Sequence, residues 1–319
     1  MSELIGYEEI KASLDKIDVV SEIEQGFAAH SQGRAVIPPV GELVFEDPPG
    51  ETHIKYGYIK GEEYYVIKIG CGFYENQKLG LSTRQGMMLV FEQKSGHPAF
   101  ILDDQGLLTD VRTAAAGAVV AKYLAPKKVH RIGIIGAGCQ GRMQAEYLRG
   151  IVDCDELIVW GLNREELDDY VDNMQHTGYH IATTLDAAEV AASCNFIVTA
   201  TPSKTPLLKA GDIRRGTHIS AFGSDTPPKN EVESAILGKA DIVAVDSLEQ
   251  SQLRGEIYHA RKAGYITDDD IVELGDIVTG KARGRSSDDQ LTVIDLTGVA
   301  VQDIQIAKAV CKVISSGQS

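Results

Sequence analysis

Lys68 lies inside the apolar run Tyr64-Tyr-Val-Ile-Lys-Ile69. Strand alternation puts Val66 and Lys68 on one side and Tyr65, Ile67 and Ile69 on the other, so the ammonium is not assured of solvent. Arg112 opens an alanine-rich helix in Leu108-Thr-Asp-Val-Arg-Thr-Ala-Ala-Ala116. The helix dipole disfavours a cation there unless an anion lies nearby. Asp225 stands in Ser220-Ala-Phe-Gly-Ser-Asp-Thr-Pro-Pro-Lys-Asn-Glu231, a turn beyond the carboxyl end of a strand. Open α/β sheets bind ligands at such turns, while an Asx turn ahead of Pro227-Pro228 is the purely structural alternative. The fourth feature is Gly136-Ala-Gly-Cys-Gln-Gly141, fed by the apolar strand Ile132 to Ile135 and followed by a helical segment. Gly136 permits a tight turn, Gly138 lets the backbone approach a pyrophosphate, and Gly141 lets the helix pack on the strand. The helix N-terminus offers its N–H groups to the phosphates. Ala137, Cys139 and Gln140 complete the expected dinucleotide turn.

The elements that must position these residues fall into two rhythms. Residues 3–30 read as helix, with Ile10, Leu14, Val20 and Ile23 inward. Pro38-Pro39 and Pro48-Pro49 then break any helix, and strand-like runs follow at 53–58, 64–69, 86–92 and 98–103. The alanine-rich helix runs to Leu124, with Thr109 or Asp110 as its expected N-cap, and Pro126 ends it. Beyond it, strands at 131–135, 156–160, 180–183, 195–200, 218–222 and 241–245 alternate with helical stretches such as 164–175 and 185–193. That alternation predicts an α/β fold with a Rossmann-type doubly wound parallel sheet. The apolar run Leu291 to Leu296 precedes a final helix over 299–313.

Composition narrows the function classes. The 319 residues carry a net charge of −15, which argues against nucleic acid and anionic membrane as partners. No apolar run reaches membrane-spanning length, and the N-terminal residues lack a signal-peptide core. The five cysteines are scattered without a C-x-x-C pair and read as reduced residues of a cytoplasmic protein. The eight histidines show no metal-ligand spacing, so no metal is expected.

The strand Glu156-Leu-Ile-Val-Trp160 should end at the adenosine ribose, where NAD-selective folds place an acidic residue. This chain has Gly161-Leu-Asn-Arg164 instead, and Arg164 suits a 2′-phosphate. NADP(H) is therefore favoured, with NAD(H) as the alternative. A plain helix-surface arginine is the other reading of Arg164.

In their order and spacing these strings resemble the ornithine cyclodeaminase/μ-crystallin family over nearly the whole chain. The pieces are Val66-Ile-Lys68, Leu108-Thr-Asp-Val-Arg-Thr-Ala-Ala115, Ile134-Ile-Gly-Ala-Gly-Cys-Gln140 and Gly223-Ser-Asp-Thr-Pro-Pro-Lys-Asn-Glu231. Arg254-Gly-Glu-Ile257 and Leu291-Thr-Val-Ile-Asp-Leu-Thr-Gly-Val-Ala-Val-Gln-Asp303 complete them. The resemblance implies a discontinuous α+β substrate-binding and dimerisation domain over 1–112 and 296–319. It further implies an NAD(P)-binding Rossmann domain over 113–295, a homodimer, and an active site in the cleft. By the same resemblance Lys68 and Arg112 bind the substrate carboxylate or polarise the reacting centre, and Asp225 is the catalytic aspartate. Asn163, Arg164, Thr113 and Thr201 join the glycine turn as cofactor-binding residues. Family activities imply an NAD(P)H-dependent oxidoreductase that reduces the C=N bond of a small cyclic imino acid. Δ1-Pyrroline-2-carboxylate giving L-proline leads, and Δ1-piperideine-2-carboxylate giving L-pipecolate follows. The alternatives are an amino-acid cyclodeaminase retaining NAD and a non-catalytic, crystallin-like NADPH or ligand binder.

Two positions depart from the family pattern. Many members carry an arginine just after the prolines, where this chain has Pro38-Pro39-Val40. Ornithine cyclodeaminase has an acidic residue thirteen positions before its lysine, and here that position is Lys55. Lys55 could replace the cation absent at Val40, unless Arg34 does, and it would repel the side-chain ammonium of ornithine. L-Ornithine is therefore expected not to be cyclised. An exposed strand charge is the alternative reading of Lys55.

Overall fold

The computed structural model describes residues 2–317. The chain divides into two compact units, one of residues up to Thr113 together with those from Val299 onward, the other of Ala114–Gly298. Thr113 thus falls in the first unit, and residues 296–298 in the second.

The first unit is built on a seven-stranded sheet: β1 (Glu3–Ile5), β2 (Ala35–Val36), β3 (Gly41–Glu46), β4 (Pro49–Ile59), β5 (Tyr64–Phe73), β6 (Arg84–Glu92) and β7 (Pro98–Leu102). The order is β1-β7-β6-β5-β4-β2 with β3 also on β4, and all pairs are antiparallel except β1 with β7. Residues 3–30 are not one helix. Glu3–Ile5 adds a strand to β7, and two helices follow, Tyr7–Leu14 and Val19–Ser31. Asp18 starts the second by accepting the Ser21 N–H at 3.1 Å, a local bond that competes with continuing the first helix.

Val19, Ile23 and Phe27 form a buried stripe at helical spacing. Gly26 lets that helix approach the C-terminal helix Ala300–Gly317, since a Cβ there would lie 3.2 Å from the Val301 carbonyl oxygen. The C-terminal helix is buried at every position from Ala300 to Ala307 and packs on β4 and β5. It therefore covers one face of the sheet, the face to which alternation sends Lys55, Val66, Lys68 and Met88.

The alanine-rich helix spans Leu107–Leu124, so Thr109 and Asp110 lie within it and do not cap it. Asp104 takes that role, its Oδ2 accepting the Leu108 N–H at 2.8 Å.

The second unit holds eight parallel strands, β8 (Ile132–Ile135), β9 (Glu156–Trp160), β10 (His180–Thr184), β11 (Phe196–Thr199), β12 (His218–Ala221), β13 (Ile242–Val245), β14 (Ile271–Glu273) and β15 (Thr292–Asp295). Their order is β10-β9-β8-β11-β12-β15-β13-β14. The chain winds outward from β8 in both directions, so the switch point lies between β8 and β11. The apolar run 291–296 contributes β15, inserted between β12 and β13, and β14 joins at the edge. β8, β11, β12 and β15 are buried along their length, as strands covered on both faces must be. No helix among the described residues is long and apolar enough to cross a membrane.

Candidate functional site

In the first unit, Lys55 on β4 is paired in register with Lys68 on β5. Only 5% of Lys55, 3% of Lys68 and 5% of Arg112 is exposed, which rules out a solvated strand charge at Lys55. Arg34, by contrast, is exposed. Like charges directly opposite on a sheet repel, and buried cations need partners. Asp303, from the first turn of the C-terminal helix and 1% exposed, supplies one. Its Oδ1 lies 3.1 Å from Lys68 Nζ and 3.2 Å from Arg112 Nε. The next residue back, Gln302, accepts a hydrogen bond from Arg112 at 2.9 Å and another from the Val299 N–H at 3.0 Å. Here is the anion that the cation near the start of the alanine-rich helix requires.

The charges decide the protonation states. Burial alone would push the Asp303 carboxyl up, but Lys68, Arg112 and Lys55 outweigh it and hold the group below its ordinary value. Burial pushes the Lys68 ammonium down, with Arg112 adding to the effect and Asp303 opposing it. Lys68, Arg112 and Lys55 thus act together on the Asp303 carboxylate, and Asp104 acts on Lys68 as well.

In the second unit the glycine turn has the shape its spacing implies. Gly136 has φ +116°, and a Cβ there would fall 2.7 Å from the Ala200 carbonyl oxygen. A Cβ on Gly141 would fall 1.9 Å from the Gly136 carbonyl oxygen, so only glycine lets the helix Cys139–Leu148 close on the turn. At Gly138, the helix N-cap, a Cβ would meet nothing within 4 Å. The turn is thus packed at its two ends and open at its middle glycine, which fits a pyrophosphate approached by backbone N–H groups. Ala137 is buried, and Cys139 Sγ lies 3.8 Å from Met143 Sδ.

Asn163 caps the next helix, Arg164–Met174, accepting the Glu166 N–H at 2.9 Å, and Arg164 is exposed at its first position. Thr113, on the alanine-rich helix, donates its hydroxyl to the Thr109 carbonyl at 2.7 Å. Asp225 is half-buried on the loop after β12 and pairs with Lys229 at 2.6 Å. Arg254 donates to its backbone carbonyl at 3.2 Å.

Two buried carboxylates hold this region, and neither emerges from local sequence physics. Glu231 accepts from the Thr201 N–H (2.6 Å), the Thr201 hydroxyl (2.7 Å), the Thr199 hydroxyl and the Gly223 N–H (both 2.8 Å). Glu256 accepts from Ser224 Oγ (2.5 Å), Asn230 Nδ2 (2.8 Å), the Glu231 N–H (2.8 Å) and the Val232 N–H (3.1 Å). Asp303, Glu231 and Glu256 all sit in the quoted family strings, which was the only signal available for them. Among the described residues no group of three or more His, Cys, Asp or Glu is placed to hold a metal ion.

Residues 4–318 match the ornithine cyclodeaminase/mu-crystallin family. The chain belongs to that family. It is 35% identical to the iminosuccinate reductase of Paracoccus denitrificans over 90% of this chain and 89% of that one. An archaeal alanine dehydrogenase, solved as a dimer with bound NAD, superposes with a TM-score of 0.91 at 32% identity, covering 100% of this chain and 97% of that chain. The Δ1-pyrroline-2-carboxylate reductase of Thermococcus litoralis, solved with NADH and L-proline, gives 0.92 at 27% identity, covering 99% and 98%. The cofactors in those two structures are NAD and NADH.

The carboxylates of the second unit set a pH dependence. Burial pushes Glu231 up to about 7 and Glu256, beside Glu231, up to about 8, their hydrogen-bond donors pulling the other way. Burial and Glu256 also raise Asp295. Raised carboxyls bind protons in the folded state that the unfolded chain releases, so their contribution is present below the ordinary glutamate range and is lost as pH rises through 7 to 8. The expected result is an unfolding midpoint that falls between pH 5 and pH 9, by a stability loss on the order of a few kcal/mol, with proton release on unfolding near pH 6.5. A midpoint constant or rising over that range would contradict the assignment.

Proposed function

We propose that the protein is an NAD(P)H-dependent oxidoreductase that reduces the C=N bond of a small imino acid. Δ1-Pyrroline-2-carboxylate is the leading substrate and Δ1-piperideine-2-carboxylate the second. The observation that carries this reading is the buried cluster of Lys55, Lys68 and Arg112 around Asp303. A substrate carboxylate there would take charge-assisted hydrogen bonds from Lys68 and Arg112, which fixes the imine carbon in place. A lysine at position 55 disfavours a substrate with a side-chain ammonium and supports a reductase over an ornithine cyclodeaminase.

The residues fit the cofactor: Gly136, Ala137, Gly138, Cys139, Gln140 and Gly141 would hold the pyrophosphate, and Thr113 and Thr201 would contribute hydroxyl groups to its binding. Asn163 and Arg164 would meet the ribose end, where the guanidinium favours NADPH. When bound, the cofactor supplies the hydride. Asp225, paired to Lys229, is assigned to the imine nitrogen, where as the carboxylate it would stabilise the positive charge of the protonated imine, and as the carboxylic acid it would give the nitrogen its proton. Cysteines without a disulfide suit a reducing compartment, which supports a cytoplasmic site.

We further propose a homodimer formed through the uncovered face of the first unit's sheet. Register aligns Tyr58, Tyr65 and Phe91 in one row, Tyr56, Ile67 and Leu89 in the next, and Ile54, Ile69 and Met87 in a third. Tyr65 and Phe91 stack at 4.9 Å, and Tyr56 and Met87 are more than a third exposed. An apolar patch of this size on one sheet face suits a second copy of the chain.

Enzyme assays and light scattering test these readings. NADPH and NADH oxidation is followed with pyrroline-, piperideine- and acyclic 2-imino acids, and ammonia release with L-ornithine. Steady oxidation with a cyclic imino acid is expected, without ammonia from ornithine. Asp225→Asn should lose about 100-fold or more in turnover while still binding cofactor. Ornithine cyclisation at a comparable rate, or NADPH binding with no imino acid turned over, would refute the reductase. By light scattering the protein should be a dimer and Tyr56→Glu a folded monomer; a monomeric wild type would refute the interface.

A further inference from the structure

Two buried glutamates gather hydrogen-bond donors from both ends of the loop carrying Asp225. The loop leaves β12 at Gly223 and returns to the core at Val232. At its departure the Gly223 N–H is held by Glu231 and the Ser224 hydroxyl by Glu256. At its return Asn230 and the N–H groups of Glu231 and Val232 are all held by Glu256. The same Glu231 carboxylate reaches across to the end of β11, taking the Thr199 hydroxyl and, just beyond the strand, both the N–H and the hydroxyl of Thr201.

Close backbone approach makes this junction stiff. A Cβ on Gly223 would fall 2.0 Å from the Thr201 carbonyl oxygen, and one on Gly136 would fall 3.0 Å from Thr201 Cγ2. The nucleotide turn, Thr201, the Glu231 carboxylate and the Asp225 loop are therefore contiguous and closely packed. Arg254 and His259, from the same segment as Glu256, add bonds to the backbone carbonyls of Asp225 and Lys229. The donors that both glutamates accept are neutral N–H and O–H groups, so the two side chains orient backbone and loop groups. For two fully buried acidic side chains this is costly unless the geometry they impose is needed.

We propose that Glu231 and Glu256 are positioning residues that fix the Asp225 loop relative to Thr201 and the glycine turn. The proposal rests on the role assigned to Asp225 above. Neither glutamate touches a substrate in this account. They act by denying the loop alternative positions, and misplacing a reacting group by about 1 Å lowers turnover about 100-fold.

The test uses the full-length protein with Glu231→Gln, Glu256→Gln and the milder Ser224→Ala, which keeps both carboxylates. Each glutamine keeps the side-chain shape but presents an NH2 group to donors that need an acceptor. Three readouts are taken: hydrogen exchange by segment, NADH binding by fluorescence titration, and kcat and KM for imino acid reduction. Exchange in residues 222–232 should rise about tenfold, while β8, β9 and β10 stay protected. NADH affinity and imino acid KM should stay within about threefold, with kcat falling about 100-fold in the glutamine variants and several-fold in Ser224→Ala. Unchanged exchange and kcat in all three variants would overturn the proposal. So would exchange rising across the whole second unit with parallel loss of NADH binding, which marks a merely structural pair. Should the wild type reduce no imino acid, only the functional reading fails, and the exchange pattern with the NADH titration still decides whether these carboxylates fix the loop.

Discussion

Lys68 and Arg112 share one buried carboxylate, Asp303, and much of the first unit is arranged to make that sharing tolerable. A strand lysine opposite a second lysine, both almost wholly buried, would not persist on an apolar face alone. The C-terminal helix brings Asp303 from the far end of the sequence, and its close packing on Gly26 and on β4 and β5 sets the carboxylate within ion-pair distance of both cations. Removing either partner would leave uncompensated buried charge, a loss of about 3–5 kcal/mol. The proposed carboxylate site draws on the same physics: the cations there are already withdrawn from water.

The second unit solves its positioning problem with backbone contact instead of charge pairs. Gly136, Gly141 and Gly223 are each placed where a Cβ would strike a carbonyl oxygen. The switch point lies between β8 and β11, where the turn after β8 meets Thr201 after β11: a Cβ on Gly136 would fall 3.0 Å from Thr201 Cγ2. Glu231 and Glu256 then tie the following loop to that edge. Their raised carboxyls are the energetic signature of the arrangement, since burial disfavours the charged form that the surrounding donors prefer.

Much of this was legible in the residues. The Gly136–Gly141 spacing gave the turn, and strand–helix alternation gave the parallel sheet. The alternation around Lys68 left its burial open, and the helix dipole argument at Arg112 required an anion without locating it. That anion lies 191 positions away, and no local rule connects the two. Long-range pairing also explains β15, whose run at 291–296 reads as an apolar segment until β12 and β13 close around it. The first thirty residues misled for a different reason. Helical periodicity continues through Glu3–Ile5, but pairing with β7 outweighs propensity there, and Asp18 restarts the helix with its own side chain. Glu231 and Glu256 stood in plain view inside recurring strings, yet their role depends on which N–H groups the loop turns toward them.

The proposed activity requires Lys68 and Arg112 to grip a substrate carboxylate. The most direct measurement is the ratio of kcat/KM for the imino acid reduced fastest to that for its neutral carboxamide, in the wild type and in Lys68→Met. The wild type should favour the carboxylate strongly, and Lys68→Met should lose about 30-fold or more of that preference, the scale expected for a buried charged hydrogen bond. A Lys68→Met protein that stays folded and keeps the full wild-type preference would contradict the claim.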